Sequence, residues 1–147
     1  MKNDGFTLVE LVVVIVVLGI LSVTILPRFA DQSTFNQVGF KGQVQAAVQH
    51  ARKTAVANRR YVCVTTTSSS LSLQMDPRLP DGLAAPSCTV NVNIPGTSGN
   101  SISAPSGVAL NPVPMFAFNP LGGTAASINL NVAGQTITIE RETGYVH

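Results

Sequence analysis

Charge is scarce in this 147-residue chain: only 11% of its residues are Asp, Glu, Lys or Arg, aromatics make up 5%, and tryptophan is absent. Beyond the first 31 residues the acidic side chains are Asp76, Asp81, Glu140 and Glu142. Glu140 and Glu142 flank Arg141 and read as a solvated face rather than a catalytic carboxylate pair. The sequence has no Walker A loop, no dinucleotide fingerprint and no HExxH helix. Gly96-Thr97-Ser98-Gly99 is too short for a nucleophile elbow and has no histidine beside it. Histidine occurs only as His50 and His147, in unrelated contexts, so the chain lacks the ligands for a metal centre. No catalytic residue, metal or cofactor is expected. A formal net charge of +2 selects no partner by itself.

What the chain does have is one long apolar run near its start. Phe6 to Leu26 is interrupted only by Thr7, Glu10, Gly19, Ser22 and Thr24. As a helix this run would be about 32 Å long, enough to cross a hydrocarbon core. A cleavable secretory signal would show a more basic start, a shorter apolar region and a small-residue cleavage site after it. Here Lys2 is offset by Asp4, and Arg28 and Phe29 follow the run. A plain anchor explains the length but not Glu10, since a charge at the centre of a spanning helix costs roughly 2.5–3.5 kcal/mol on insertion scales. Such a residue ordinarily has a partner.

Gly5-Phe6-Thr7-Leu8-Val9-Glu10, followed by the apolar run to Leu26-Pro27-Arg28-Phe29, resembles the processing motif of type IV pilins and type II secretion pseudopilins. The resemblance implies that residues 1–5 are a leader, that a prepilin peptidase cuts between Gly5 and Phe6, and that Phe6 becomes N-methylated. The helix would then stay with the mature chain. It further implies a single-pass protein of the bacterial inner membrane with a periplasmic head. The subunit would be drawn through an inner-membrane assembly platform into a pilus or pseudopilus among other such subunits. Glu10 would neutralise the amino terminus of a neighbouring subunit, because a buried charge is tolerated only when it is well paired. The segments expected are a leader at 1–5, a membrane and filament-core helix at 6–26, an amphipathic helix at 27–59 and a β-rich head at 60–147.

Pro27 removes a backbone donor and should interrupt the helix. Phe40, Val44, Ala47, Val48, Ala51 and Ala55 then recur at helical spacing, ending near Asn58. Gly39 and Gly42 weaken the start of that stretch. The opposite face is expected to carry Lys41, His50, Arg52, Lys53, Arg59 and Arg60. Such a face could meet phosphates, an acidic neighbour or only water. Little aromatic interleaving beyond Tyr61 supports base stacking, so nucleic acid is a weak candidate.

Alternating segments at 61–64, 71–75, 90–94, 115–118, 128–132 and 137–139 predict antiparallel strands, the last two joined as a hairpin through Gly134. Eight of the nine prolines fall between Pro77 and Pro120, a region expected to be mostly loop. The fold class expected is α+β: a long N-terminal helix whose second half packs on an antiparallel, β-rich head. If that head faces the periplasm, Cys63 and Cys88 should form a disulfide, with two free buried thiols as the alternative.

Ala51 to Val56 leading into Tyr61-Val62-Cys63-Val64 is similar to H-type minor pseudopilins. So are Phe118 to Gly123 and Thr143-Gly144-Tyr145. The first 31 residues, with Ala30-Asp31, resemble pilins of the mannose-sensitive haemagglutinin (MSHA) pilus. These resemblances imply a minor structural subunit of a surface-attachment pilus. A secretion pseudopilin and a DNA-binding minor pilin of a competence pilus are the alternatives.

Overall fold

The six apolar residues from Phe40 to Ala55 that recur at helical spacing are all buried, each with 1% or less of its surface exposed. In the computed structural model they lie on one helix, α2 (Gln32–Asn58), which runs unbroken through Gly39 and Gly42. Burial of the stripe outweighs the weak helix propensity of the two glycines. The structure describes residues 6–25, 32–80 and 85–147; the leader, Pro27 and Asp81 lie outside them.

The chain divides into two units, one up to Phe35 and a head from Asn36 to His147. The first unit contains α1 (Leu8–Ile25), shorter than the helix expected over 6–26 because Phe6 and Thr7 precede its first turn.

Among the described residues eight strands follow α2 in the head: β1 (Val62–Thr66), β2 (Ser70–Met75), β3 (Val90–Asn91), β4 (Ser101–Ser103), β5 (Leu110–Asn111), β6 (Phe116–Phe118), β7 (Ile128–Val132) and β8 (Gln135–Ile139). They form two antiparallel sheets. In the larger, the order is β3-β2-β1-β6, with β4 also paired to β2; in the smaller it is β5-β7-β8. Residues from α2 and both sheets share one apolar core that includes Phe40, Val48, Leu71, Leu73, Phe118, Leu130 and Ile139.

Alternation places the strands as their sequences predict. Leu71 and Leu73 of β2 are fully buried while Ser70 and Ser72 are half-buried. The β7–β8 hairpin turns at Ala133 (φ 50°) and Gly134 (φ 81°), the left-handed pair that a two-residue hairpin needs. Two strands were not expected. β4 and β5 lie inside the proline-rich stretch read as loop, and each is only two or three residues long. In the other direction, the expected strand at 90–94 stops after Asn91.

Candidate functional site

The N-terminal motif begins the helix by a mechanism that its sequence encodes. The Glu10 backbone N–H donates to Thr7 Oγ1 at 3.3 Å, and the Leu11 N–H donates to the Thr7 carbonyl at 3.2 Å. Thr7 is thus the N-cap of α1 and Glu10 its third residue, the spacing of a capping box. The sequence reading passed over Thr7, although Thr-x-x-Glu was the signal for it. A carboxylate in the first turn also interacts favourably with the helix dipole, by roughly 0.3–1 kcal/mol.

Every side chain from Phe6 to Ser22 is exposed in the isolated chain. Phe6 and Leu8 keep about four-fifths of their surface, and even Val12 keeps 43%. The exposed residues are apolar on all sides of the helix, so this is not a surface helix with one buried stripe. A helix of that kind needs apolar surroundings on all sides. Among the described residues no helix is long and apolar enough to cross a membrane. The 18 residues of α1 extend about 27 Å, just short of a hydrocarbon core of about 30 Å. Gly5 lies outside the described residues, so the Gly5–Phe6 junction is visible only from its Phe6 side.

Cys63 and Cys88 are joined by a disulfide, with Cα atoms 6.1 Å apart. The bridge ties β1, where Cys63 is 1% exposed, to the segment entering β3. Beside it lies a polar knot that the sequence reading missed. Asp76, buried at the end of β2, accepts hydrogen bonds from Arg78 N (2.9 Å), Arg78 Nε (3.0 Å), Arg78 Nη2 (2.7 Å) and Ser87 N (2.7 Å). Arg78 Nη2 also donates to the Ala85 carbonyl at 2.9 Å. The Arg78 guanidinium and then the Ser87 N–H hold the Asp76 carboxyl well below the usual carboxylate range, and burial opposes them without prevailing. Asp76 therefore organises the loop between β2 and β3.

The basic residues do not form the single face expected of them. On α2, Lys41 and Arg52 are about 20° apart around the axis, whereas Lys53 is about 100° further round. Arg52 lies along Gly122, and His50 is turned toward the loop after β3, where its Nε2–H donates to the Asn93 carbonyl at 3.1 Å. Arg59 and Arg60 have left the helix altogether. The Arg60 N–H reaches the Ala55 carbonyl (3.1 Å) and the Arg59 N–H the Val56 carbonyl (3.3 Å), with Arg59 left-handed at φ 52°. This is a Schellman cap, in which a cation also suits the negative end of the helix. A linear count assigned these arginines to a face, but helical phase and chain termination separate them.

The two C-terminal motifs, 20 residues apart in sequence, meet in space. Asn119 Oδ1 accepts from the Leu121 and Gly123 N–H groups, folding Phe118 to Gly123 into a tight loop. Gly144 (φ 59°) abuts the Gly122 carbonyl so closely that a Cβ at Gly144 would collide with it. Among the described residues no group of histidines, cysteines or carboxylates could hold a metal ion.

Residues 1–26 match the prokaryotic N-terminal methylation motif. No curated protein of similar sequence was found. Two crystal forms of the type IV minor pilin FimU from Pseudomonas aeruginosa share the architecture. One superposes with a TM-score of 0.56 at 14% identity, covering 80% of this chain and 90% of FimU. The other gives 0.52 at 15% identity, covering 72% and 86%. The fold is that of a type IV minor pilin. Identity this low speaks for the pilin fold and carries no residue's role across. The methylation motif is an independent finding, and it lies at the end of the chain that carries α1.

Proposed function

We propose that this protein is a minor type IV pilin-like structural subunit. Prepilin peptidase cleaves it between Gly5 and Phe6 and methylates Phe6. It is held in the inner membrane by the apolar helix, head outward, and is then drawn by the assembly platform into a filament of other pilin subunits. The observation that carries this reading is α1: an 18-residue helix, apolar all round, exposed at every residue up to Ser22, and lying within a methylation motif. Lipid before assembly and neighbouring helices after it would supply the surroundings that α1 lacks in the isolated chain.

Within this class we favour an MSHA-type surface-attachment pilus, on the resemblance of residues 1–31. DNA uptake has less support, since the basic residues that would bind phosphates are dispersed between the flanks of α2 and its C-terminal cap.

Quantitative mass spectrometry of sheared filaments at native expression tests the proposal. An N-methylated Phe6 peptide, present in traces beside a dominant pilin, is the expected result. Intact residues 1–5 would overturn the processing. A correctly processed chain confined to the cell envelope would overturn the pilus in favour of a short pseudopilus.

A further inference from the structure

Leu73 sits where the outer edge of the larger sheet is interrupted. The Val92 N–H donates to the Leu73 carbonyl at 3.1 Å, and the Leu73 N–H donates to the Asn100 carbonyl at 2.8 Å. β3 and β4 are therefore two pieces of one edge strand along β2, with residues 93–99 looped out between them. That loop is closed by the Ile94 N–H on the Gly99 carbonyl (2.9 Å) and tethered to α2 through His50 and Asn93. A groove of about 870 Å³ remains between the loop, β4 and α2.

The phase of the β2–β4 ladder fixes what faces this groove. Asn100 bonds to β2 at Leu73, the Ala104 N–H donates to the carbonyl of Ser69 just before β2 at 2.8 Å, and Ile102 lies opposite Leu71. In an antiparallel ladder the intervening residues turn both N–H and C=O away from the partner strand. Those residues are Ser101 and Ser103, both exposed and both lining the groove. Facing them from α2 are Gln43, Gln49, His50 and Lys53, and no carboxylate lines the groove among the described residues.

Two other sheet edges are guarded. The outer edge of β8 is covered by the C-terminal segment, where Thr138 and His147 exchange backbone bonds of 2.7 and 3.0 Å. β6 is three residues long between Pro114 and Pro120. β4 combines outward-facing backbone with adjoining space.

We infer that the groove between β4 and α2 is a strand-addition site for an extended segment of another protein. Its backbone pairs with Ser101 and Ser103, and an acidic side chain meets Lys53. Charge complementarity selects the occupant. Among the described residues of the head a second copy of this chain offers no such segment, because Asp76 is buried in its own knot and Glu140 and Glu142 lie in a turn beyond β8. The site belongs to the head and holds whether or not the chain enters a filament.

The test is a titration of the ¹⁵N-labelled full chain, in detergent micelles, with a capped peptide of about seven alternating threonines and valines bearing a central aspartate. Saturable shifts are expected at the Ser101 and Ser103 amides. Binding should weaken at least about five-fold when the central aspartate becomes lysine, and Lys53→Ala should abolish that preference. Ser103→Pro deletes an outward N–H that the fold does not use, so it should weaken binding while leaving the core spectrum unchanged. The inference is overturned by unmoved Ser101 and Ser103 amides at millimolar peptide, or by equal affinity for the aspartate and lysine peptides. Shifts that follow protein concentration alone would also overturn it, in favour of a second copy.

Discussion

Reducing the Cys63–Cys88 bridge should cost the head about 3.5 kcal/mol. The two cysteines are 25 residues apart in sequence, and the loop they close contains all of β2. In the chain-entropy treatment a loop of that length lowers the entropy of the unfolded chain by about 12 cal/mol/K, or about 3.5 kcal/mol at 25 °C. A head of roughly 110 residues unfolds with an entropy near 230 cal/mol/K, so the same quantity should lower Tm by about 15 °C. The assay is thermal unfolding of the full chain followed by near-ultraviolet circular dichroism, with and without reductant, and with the Cys63→Ala, Cys88→Ala double variant as a control. Both perturbations act on the unfolded state, so the double variant should melt close to the reduced wild type. A fall of less than about 3 °C would refute the argument, since β2 would then hold its place on β1 without the covalent loop.

Phe118→Ala should destabilise the head by about 3–5 kcal/mol in denaturant titrations, because the ring is fully buried and stands edge-on to Phe116 at 5.9 Å. Gly144→Ala should lower stability by at least about 2 kcal/mol, since the new Cβ collides with the Gly122 carbonyl in a left-handed residue; expression yield and Tm would reveal it. Asp76 makes stability depend on acid. Folding favours its ionised form, so its contribution is complete above the unfolded carboxylate pKa of about 3.9 and is lost as pH falls through the lower folded value. The Tm difference between wild type and Asp76→Asn should accordingly be full near neutrality and shrink below about pH 4; a difference independent of pH would refute this assignment.

Parts of this molecule were legible because one physical signal dominated them. The α2 stripe needed only helical spacing, and all six apolar positions are buried. β2, β7 and β8 alternate over five or six residues, β1 opens with three consecutive buried residues, and the four pair as two hairpins. β4 escaped notice because Ser101-Ile102-Ser103 offers one apolar residue between Pro95 and Pro105, and such a strand is defined by its neighbour rather than by its own pattern. The Asp76 knot was invisible for a similar reason: its partners are backbone N–H groups and an arginine in a loop whose course no periodicity reveals. The dispersed arginines show the converse hazard. Residue type suggested a cationic face, while the left-handed turn at Arg59 decided where the cations stand.

The two helices bury apolar surface by different means, and this separates assembly from folding. α2 carries a narrow stripe that the head covers, so a change there is read as stability. α1 offers apolar surface all round and the Glu10 side chain is exposed, so a change there should be read in the filament. Glu10→Gln is the decisive variant because a capping box accepts Gln at the third helical position as well as Glu. It retains that capacity and removes only the charge. Thr7→Ala does the reverse, removing the cap while keeping the carboxylate. With a pairing role for Glu10, both Gln and Ala at this position should insert in the membrane, leave the Tm of the head unchanged and fail to enter filaments. Thr7→Ala should then assemble far better than either. Normal incorporation of Glu10→Gln beside failure of Thr7→Ala would reassign Glu10 to the helix start, with no part in recognising the next subunit.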